Sequence, residues 1–287
     1  MRYPLLFAAL FSCFISAAQP LIDPVNIRYS KSPDAGLFRR DKQAASFDQF
    51  ALNLALPLVF KKDSSAILLN PFAEIWQLDI KGLPWLPGQF QAMGLQAAYI
   101  KPLSKRWTML ISLIPRWNGY NGHWFQQDFQ FGSAALFTYK QSSTLKYKFG
   151  LYYNSEFSGP FFMPLAGIDW RINANNTIYG VLPGSLTWEH RVNRHFFVGM
   201  AFRAITNSYR AGILNNQRYF LRIDDNQLTA FGDLYLSKHL VFTLEAGHSV
   251  LRKFRLGYTN GATKYFFNQK IRDNLLLKTG FAWRMRI

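Results

Sequence analysis

The chain has 287 residues, 49 % of them hydrophobic and 17 % aromatic, with a formal net charge of +17 and a mean hydropathy of −0.07. Beyond residue 18 no stretch approaches the roughly 18 uninterrupted apolar residues of a membrane helix, so a helical membrane protein is excluded and the apolar residues must be interleaved with polar ones. A basic balance of this size points to an anionic partner, and the export signal at the start of the chain turns that expectation away from nucleic acid toward lipid phosphates, acidic polysaccharides and small anionic solutes.

Met1-Arg2-Tyr3 is a short basic start, Leu5 to Ile15 an apolar run, and Ser16-Ala17-Ala18 a small-residue cleavage site before Gln19. Residues 1–18 therefore read as a secretory signal peptide, too short to span a bilayer. Leu10-Phe11-Ser12-Cys13 partly resembles a lipoprotein box, but Phe11 is too large for its position. Cys13 is the only cysteine, so the mature chain is expected to have no thiol and to depend on packing and the hydrogen-bond ladder. Residues 19–46 show no clear alternation and carry Arg28, Lys31, Arg39, Arg40 and Lys42. They read as a basic periplasmic tail or a plug.

From residue 47 to 287 the dominant signal is period-2 alternation. Phe50, Leu52, Leu54, Leu56, Leu58 and Phe60 share one parity. Trp107, Met109, Ile111, Leu113, Pro115 and Trp117 share another, with a tryptophan at each end. Ten steps at about 3.3 Å span about 33 Å. Tilted by about 40°, that rises about 25 Å, the height of the apolar band of a membrane barrel. Trp107, Trp117 and Trp283 are therefore expected in the headgroup belts. Similar faces occur at 129–139, 145–153, 196–202 and 240–246, and weaker ones at 66–80, 90–100, 165–172, 177–190, 218–223, 227–236 and 253–259. Short turns are expected at 101–106, 140–144, 173–176 and 224–226, and longer loops at 118–127, 154–164 and 206–217. The last strand runs from Leu277 through Phe281 and Trp283 to Ile287, with Lys278, Gly280, Ala282, Arg284 and Arg286 on its other face. Lys278, Gly280, Trp283 and Met285 resemble the C-terminal signal of outer-membrane barrels, which implies the barrel-assembly machinery as a partner. The fold class expected is an all-β, antiparallel, up-and-down transmembrane barrel of about 12 strands, 10 to 14, in a bacterial outer membrane.

Gly159-Pro160-Phe161-Phe162-Met163-Pro164-Leu165-Ala166-Gly167-Ile168-Asp169-Trp170, followed by Ile178-Tyr179-Gly180-Val181-Leu182-Pro183-Gly184-Ser185-Leu186, resembles a family of uncharacterised bacterial outer-membrane barrels, known as a domain of unknown function. The likeness is clearest over residues 159–191. It implies the architecture and no activity.

Charges of the polar parity are expected in the lumen, because facing lipid costs about 2–4 kcal/mol near the midplane. These are Asp169, Arg171, Glu189, Arg191, Glu245, Arg284 and Arg286. They either select anions at a constriction or pair off and fill a narrow interior. Tyr120, His123 and Trp124, in a loop with two Asn-Gly turn signals, and Phe161 and Phe162 are candidate loop contacts for a sugar or partner. Lys61-Lys62, Arg191, Arg194, Arg210, Arg218 and Arg252-Lys253-Arg255 could meet lipopolysaccharide phosphates. His123, His190, His195, His239 and His248 complete no metal spacing, His248-Ser249 point to opposite strand faces, and no phosphate loop or metalloprotease motif occurs. No cofactor, metal or catalytic set is expected. The leading function is a pore for small solutes with anion preference. The alternatives are a closed barrel whose loops bind lipopolysaccharide, glycan or a protein, and a lipid-modifying enzyme.

Overall fold

The computed structural model describes residues 21–286 apart from 38–39, 82, 215–216, 261 and 271. The signal-peptide residues lie outside the described residues. In chain order the strands are β1 (Leu21–Leu37), β2 (Arg40–Leu54), β3 (Leu56–Phe60), β4 (Ser65–Ile80), β5 (Gln89–Pro102), β6 (Trp107–Tyr120), β7 (Phe129–Lys140), β8 (Leu145–Glu156) and β9 (Gly159–Arg171). Then come β10 (Asn176–Leu182), β11 (Ser185–Arg191), β12 (Phe196–Leu214), β13 (Gln217–Tyr235), β14 (Leu240–Asn260), β15 (Ala262–Lys270) and β16 (Leu275–Arg286).

All described pairings are antiparallel between ring neighbours, and β16 pairs β1, which closes the sheet. β2 and β3 are one barrel strand interrupted at Ala55, both pairing β4. β15 and β16 are one strand interrupted before Leu275, both pairing β14. The ring thus has 16 − 2 = 14 strands. Closure leaves few unpaired backbone groups, the condition for a sheet to sit in hydrocarbon.

Six connections have four residues each, at 61–64, 103–106, 141–144, 172–175, 192–195 and 236–239, and all lie at the end where Leu21 and Arg286 meet. This terminal end has uniform turns. The distal end is irregular, from two residues at 157–158 and 183–184 to eight at 81–88 and 121–128.

Outward side chains form a continuous apolar band: Ile27, Phe50, Leu58, Ile111, Leu113, Phe149, Leu151, Leu244 and Phe281 are each 39–56 % exposed. A soluble monomer rarely exposes an apolar patch of more than a few hundred Å², so this band faces lipid. The inner face is unlike a porin's at the distal end. Trp76, Phe90, Tyr209, Leu221, Ile223, Phe254, Leu256 and Leu276 are fully buried there and form one apolar core inside the ring.

Several expectations are corrected. Residues 19–46 do not form a tail or plug: from Leu21 they build β1 and the start of β2, hydrogen-bonded to β16 and to each other. The strands number fourteen, at the top of the expected range. The 177–190 segment is two seven-residue strands joined at Pro183-Gly184. The loop expected at 206–217 is strand to Leu214, and the turn expected at 224–226 lies mid-strand in β13, where the register shifts. The errors in β1, β12 and β13 share a cause. Past the bilayer a strand has no lipid to face, so polar residues occupy both parities and the period-2 signal vanishes although the ladder continues.

A charged lumen closed by a polar latch

Inward residues of the terminal half carry an ion-pair network on the wall made by β1, β11 to β14 and β16. Arg284 donates through Nε to Asp23 Oδ1 at 2.7 Å and through Nη2 to Asp23 Oδ2 at 3.0 Å, and its Nη1 reaches Asp233. Arg286 grips Glu189 with bonds of 2.7 and 2.9 Å and lies 3.7 Å over the Phe197 ring. Arg203 holds Glu245 at 2.7 and 3.1 Å, with Lys278 Nζ 3.7 Å from the same carboxylate. Lys148 meets Asp169 at 2.6 Å across β8 and β9. Each pair satisfies charges that would be costly if buried alone.

The opposite wall is different. Leu68, Ile100, Leu110 and Leu136, on β4 to β7, line a cavity of about 560 Å³ whose polar lining includes Asp23, Asn26, Arg28 and the Asp169-bound Lys148. At the terminal mouth Arg191, Arg194 and Lys238 join Glu189, Arg284 and Arg286 around a recess of about 620 Å³. Arg171 is exposed at the terminal end of β9.

Toward the distal end the lumen is bridged. The hairpin of β12 and β13 extends far past β10 and β11, with nineteen residues per strand against seven. Its β12 arm contacts β5 and β6 on the far side of the ring. Ser208 is the centre of this latch. Its carbonyl accepts from Asn118 Nδ2 at 2.8 Å and Gln130 Nε2 at 3.2 Å. Its hydroxyl accepts from Gln130 Nε2 at 2.9 Å and Phe157 N at 3.2 Å, and donates to Glu156. Arg116 secures Glu156 at 2.9 Å and Asn207 at 3.3 Å. Tyr209 donates to Glu74 at 2.5 Å, and Arg210 Nε donates to Asp128 at 3.1 Å. Above it, Thr259 and Thr263 donate to the carbonyls of Phe157 and Ser158 at 2.9 and 3.0 Å. The two walls are thereby drawn together over the apolar core.

The expected sites fall out unevenly. Asp169, Glu189, Glu245, Arg284 and Arg286 all enter the lumen network, while Arg191 sits at the mouth. Tyr120, His123 and Trp124 do cluster at the distal end: the Tyr120 and His123 rings are 5.7 Å apart, and Trp124 lines an outer apolar groove with Trp117 and Pro115. Phe161 and Phe162 are not loop residues. The connection is only Phe157-Ser158, so both lie in β9 on opposite faces, Phe161 against Tyr152 and Phe162 outward at 66 % exposure. Arg210, Arg252 and Arg255 are likewise strand residues paired to Asp128, Asp225 and Asp224 rather than loop cations. Trp107 and Trp283 lie outward near the terminal end and Trp117 near the distal end, joined by Trp170 and Trp188, which the sequence reading left out of the belt. Of the proposed assembly residues, Lys278 points inward and donates to Gln227, and Trp283 points outward.

The latch was missed. Glu74 and Arg116 left a trace, as charges on the inward parity of apolar strands; Ser208 left none, because a hydroxyl in a polar stretch carries no periodic signal.

No curated protein matches the sequence. Among solved structures, the NanC porin superposes with a TM-score of 0.40 at 6 % identity, over 91 % of this chain and 100 % of that one. An outer membrane channel from Pseudomonas putida F1 gives 0.46 at 9 % identity, over 93 % and 96 %. OccK5 of Pseudomonas aeruginosa gives 0.36 at 12 % identity, over 93 % and 100 %. At these values they add nothing to the architecture read from the strand pairing. Residues 39–284 match the model of a family described as a domain of unknown function, DUF6268, and the chain belongs to that family.

Proposed function

We propose that this protein is a gated channel for small solutes in a bacterial outer membrane, closed at its distal end in the conformation described and leaning toward anions. The observation that carries this is the asymmetry of the lumen: a cavity and a cationic mouth in the terminal half, and a latch made of polar side chains across the distal half. An apolar seal would suffice to fill a barrel. A latch whose hydrogen bonds water can replace has a low cost of opening. In the terminal half, among the described residues, seven inward cations (Arg28, Lys146, Lys148, Arg203, Lys278, Arg284, Arg286) face five carboxylates (Asp23, Asp169, Glu189, Asp233, Glu245), and Arg191, Arg194 and Lys238 add charge at the mouth. The excess is small because most pairs neutralise each other, so the anion bias is modest.

Lys278, Gly280, Trp283 and Met285 would serve the assembly machinery, and outward and distal cations would meet lipopolysaccharide phosphates. The second reading, a permanently closed barrel that works through its distal loops, is favoured by the buried apolar core. Planar-bilayer recording of the refolded protein separates the two. The channel reading expects brief, infrequent openings in the wild type and longer ones in Ser208→Ala, with a chloride-to-potassium permeability ratio of about 2–5. Silence from both proteins, shown folded by heat-modifiable migration, would reject it in favour of the loop-binding reading.

A further inference from the structure

The cavity in the terminal half is amphipathic in a way that ion passage alone does not require. Its apolar side is a contiguous patch, Leu68, Ile100, Leu110 and Leu136 on four adjacent strands, in the interior of a barrel where water-filled lumens are ordinarily polar. Facing it is Arg28 of β1. Unlike Arg203, Arg284 and Arg286, Arg28 makes no side-chain hydrogen bond or ion pair among the described residues. Its nearest charges are mixed: Arg203 and Arg284 repel it, Glu245 and Asp23 attract it, and both carboxylates are already held by those same arginines. Asn70, also in the wall, leaves its Oδ1 buried without a partner while its Nδ2 is 3.4 Å from Gln96. A half-turn of that amide presents a donor instead.

A planar guanidinium with unused donors opposite an apolar surface, in about 560 Å³, has the composition of a ligand pocket: mostly apolar walls and a few placed polar groups. We propose that this cavity binds small organic monoanions with an apolar body, aryl or short alkyl carboxylates, with the carboxylate on Arg28 and the body on the leucine face. This names the solute class for the channel proposed above and rests on that reading for its biological sense.

The test measures binding rather than current, so that a failure to conduct and a failure to bind are separate results. The full-length mature protein in lipid nanodiscs is titrated calorimetrically with phenylacetate, acetate and phenylacetamide, with empty nanodiscs as the partition control. Saturable one-site binding of phenylacetate is expected, with acetate and phenylacetamide each weaker by about tenfold or more, because each lacks one half of the match. Arg28→Gln should lose about tenfold for phenylacetate and nothing for phenylacetamide, and Arg171→Gln, at the rim, should match the wild type. If Arg28→Gln does not refold, Leu110→Asn replaces it and should weaken phenylacetate but not acetate. No saturable heat above empty nanodiscs, acetate binding as tightly as phenylacetate, or an unaltered phenylacetate affinity in Arg28→Gln would overturn the proposal.

Discussion

At the scale of single residues, what matters most is whether a charge inside the ring has a fixed partner. Arg284 is 10 % exposed and holds two carboxylates from different strands, Asp23 on β1 and Asp233 on β13. It ties the closing strand to both sides of the seam. Arg284→Gln leaves two acidic groups sharing one neutral amide, and should lower stability by about 3 kcal/mol in urea unfolding from lipid vesicles. Arg286 is 32 % exposed at the mouth, where water relieves the loss, so Arg286→Gln should cost about 1 kcal/mol or less. Equal costs would show that burial does not set the strength of these pairs. Parity in the sequence was enough to place Asp169, Glu189, Glu245, Arg284 and Arg286 on the inner face. It could not say which charge meets which, because partners such as Asp23 and Arg284 are 261 positions apart. For the same reason Arg28, without a partner among the described residues, looks in the sequence like any basic residue of a polar segment.

At the scale of elements, the short hairpin of β10 and β11 is the feature that shapes the site. Gly180 has φ of +152° and faces Leu186, and a Cβ there would lie 2.3 Å from the Ser185 carbonyl oxygen. A side chain at this position must push the two strands apart. Gly180→Ala should cut the refolded, heat-modifiable fraction severalfold, whereas Gly88→Ala, where a Cβ meets nothing within 4 Å, should leave it unchanged. A normal yield from Gly180→Ala would mean the hairpin tolerates a wider spacing than its register implies. Elements were legible where both faces differ, as in β6 and β16, with lipid on one side and lumen on the other. They were illegible in β1 and in the distal arms of β12 and β13. In β1, outward Val25, Ile27 and Tyr29 give only three apolar alternates before Ser30, Lys31 and Ser32 end the pattern. The distal arms pack polar side chains across the lumen and apolar ones into the core, which mixes the parities.

At the scale of the whole molecule, one barrel combines three environments: a lipid-facing band, a charged terminal half with a cavity, and a distal half filled and latched. The band was read from the sequence almost entirely, because alternation over ten residues is what a bilayer imposes. The latch is a relation between strands on opposite sides of the ring, and no local pattern encodes it. Its strength should depend on the Arg116 bridge to Glu156. Glu156→Gln keeps the shape but removes the charge, and should raise the open time severalfold in single-channel records. No change would place the closure in the apolar core instead.

The most direct measurement is current through a barrel whose latch is held by a removable link. Asn118→Cys with Ser208→Cys places one thiol on β6 and one on β12, where the Asn118 side chain donates to the Ser208 backbone carbonyl at 2.8 Å, and Cys13 is the only native cysteine. A short cleavable thiol cross-linker is applied, and current is recorded before and after its cleavage. The cross-linked protein should be silent and should conduct, with an anion-biased reversal potential, once the link is cut. Conductance that persists with the link in place would contradict a gate formed by the β12 and β13 hairpin, and silence after cleavage in a folded barrel would contradict the channel itself.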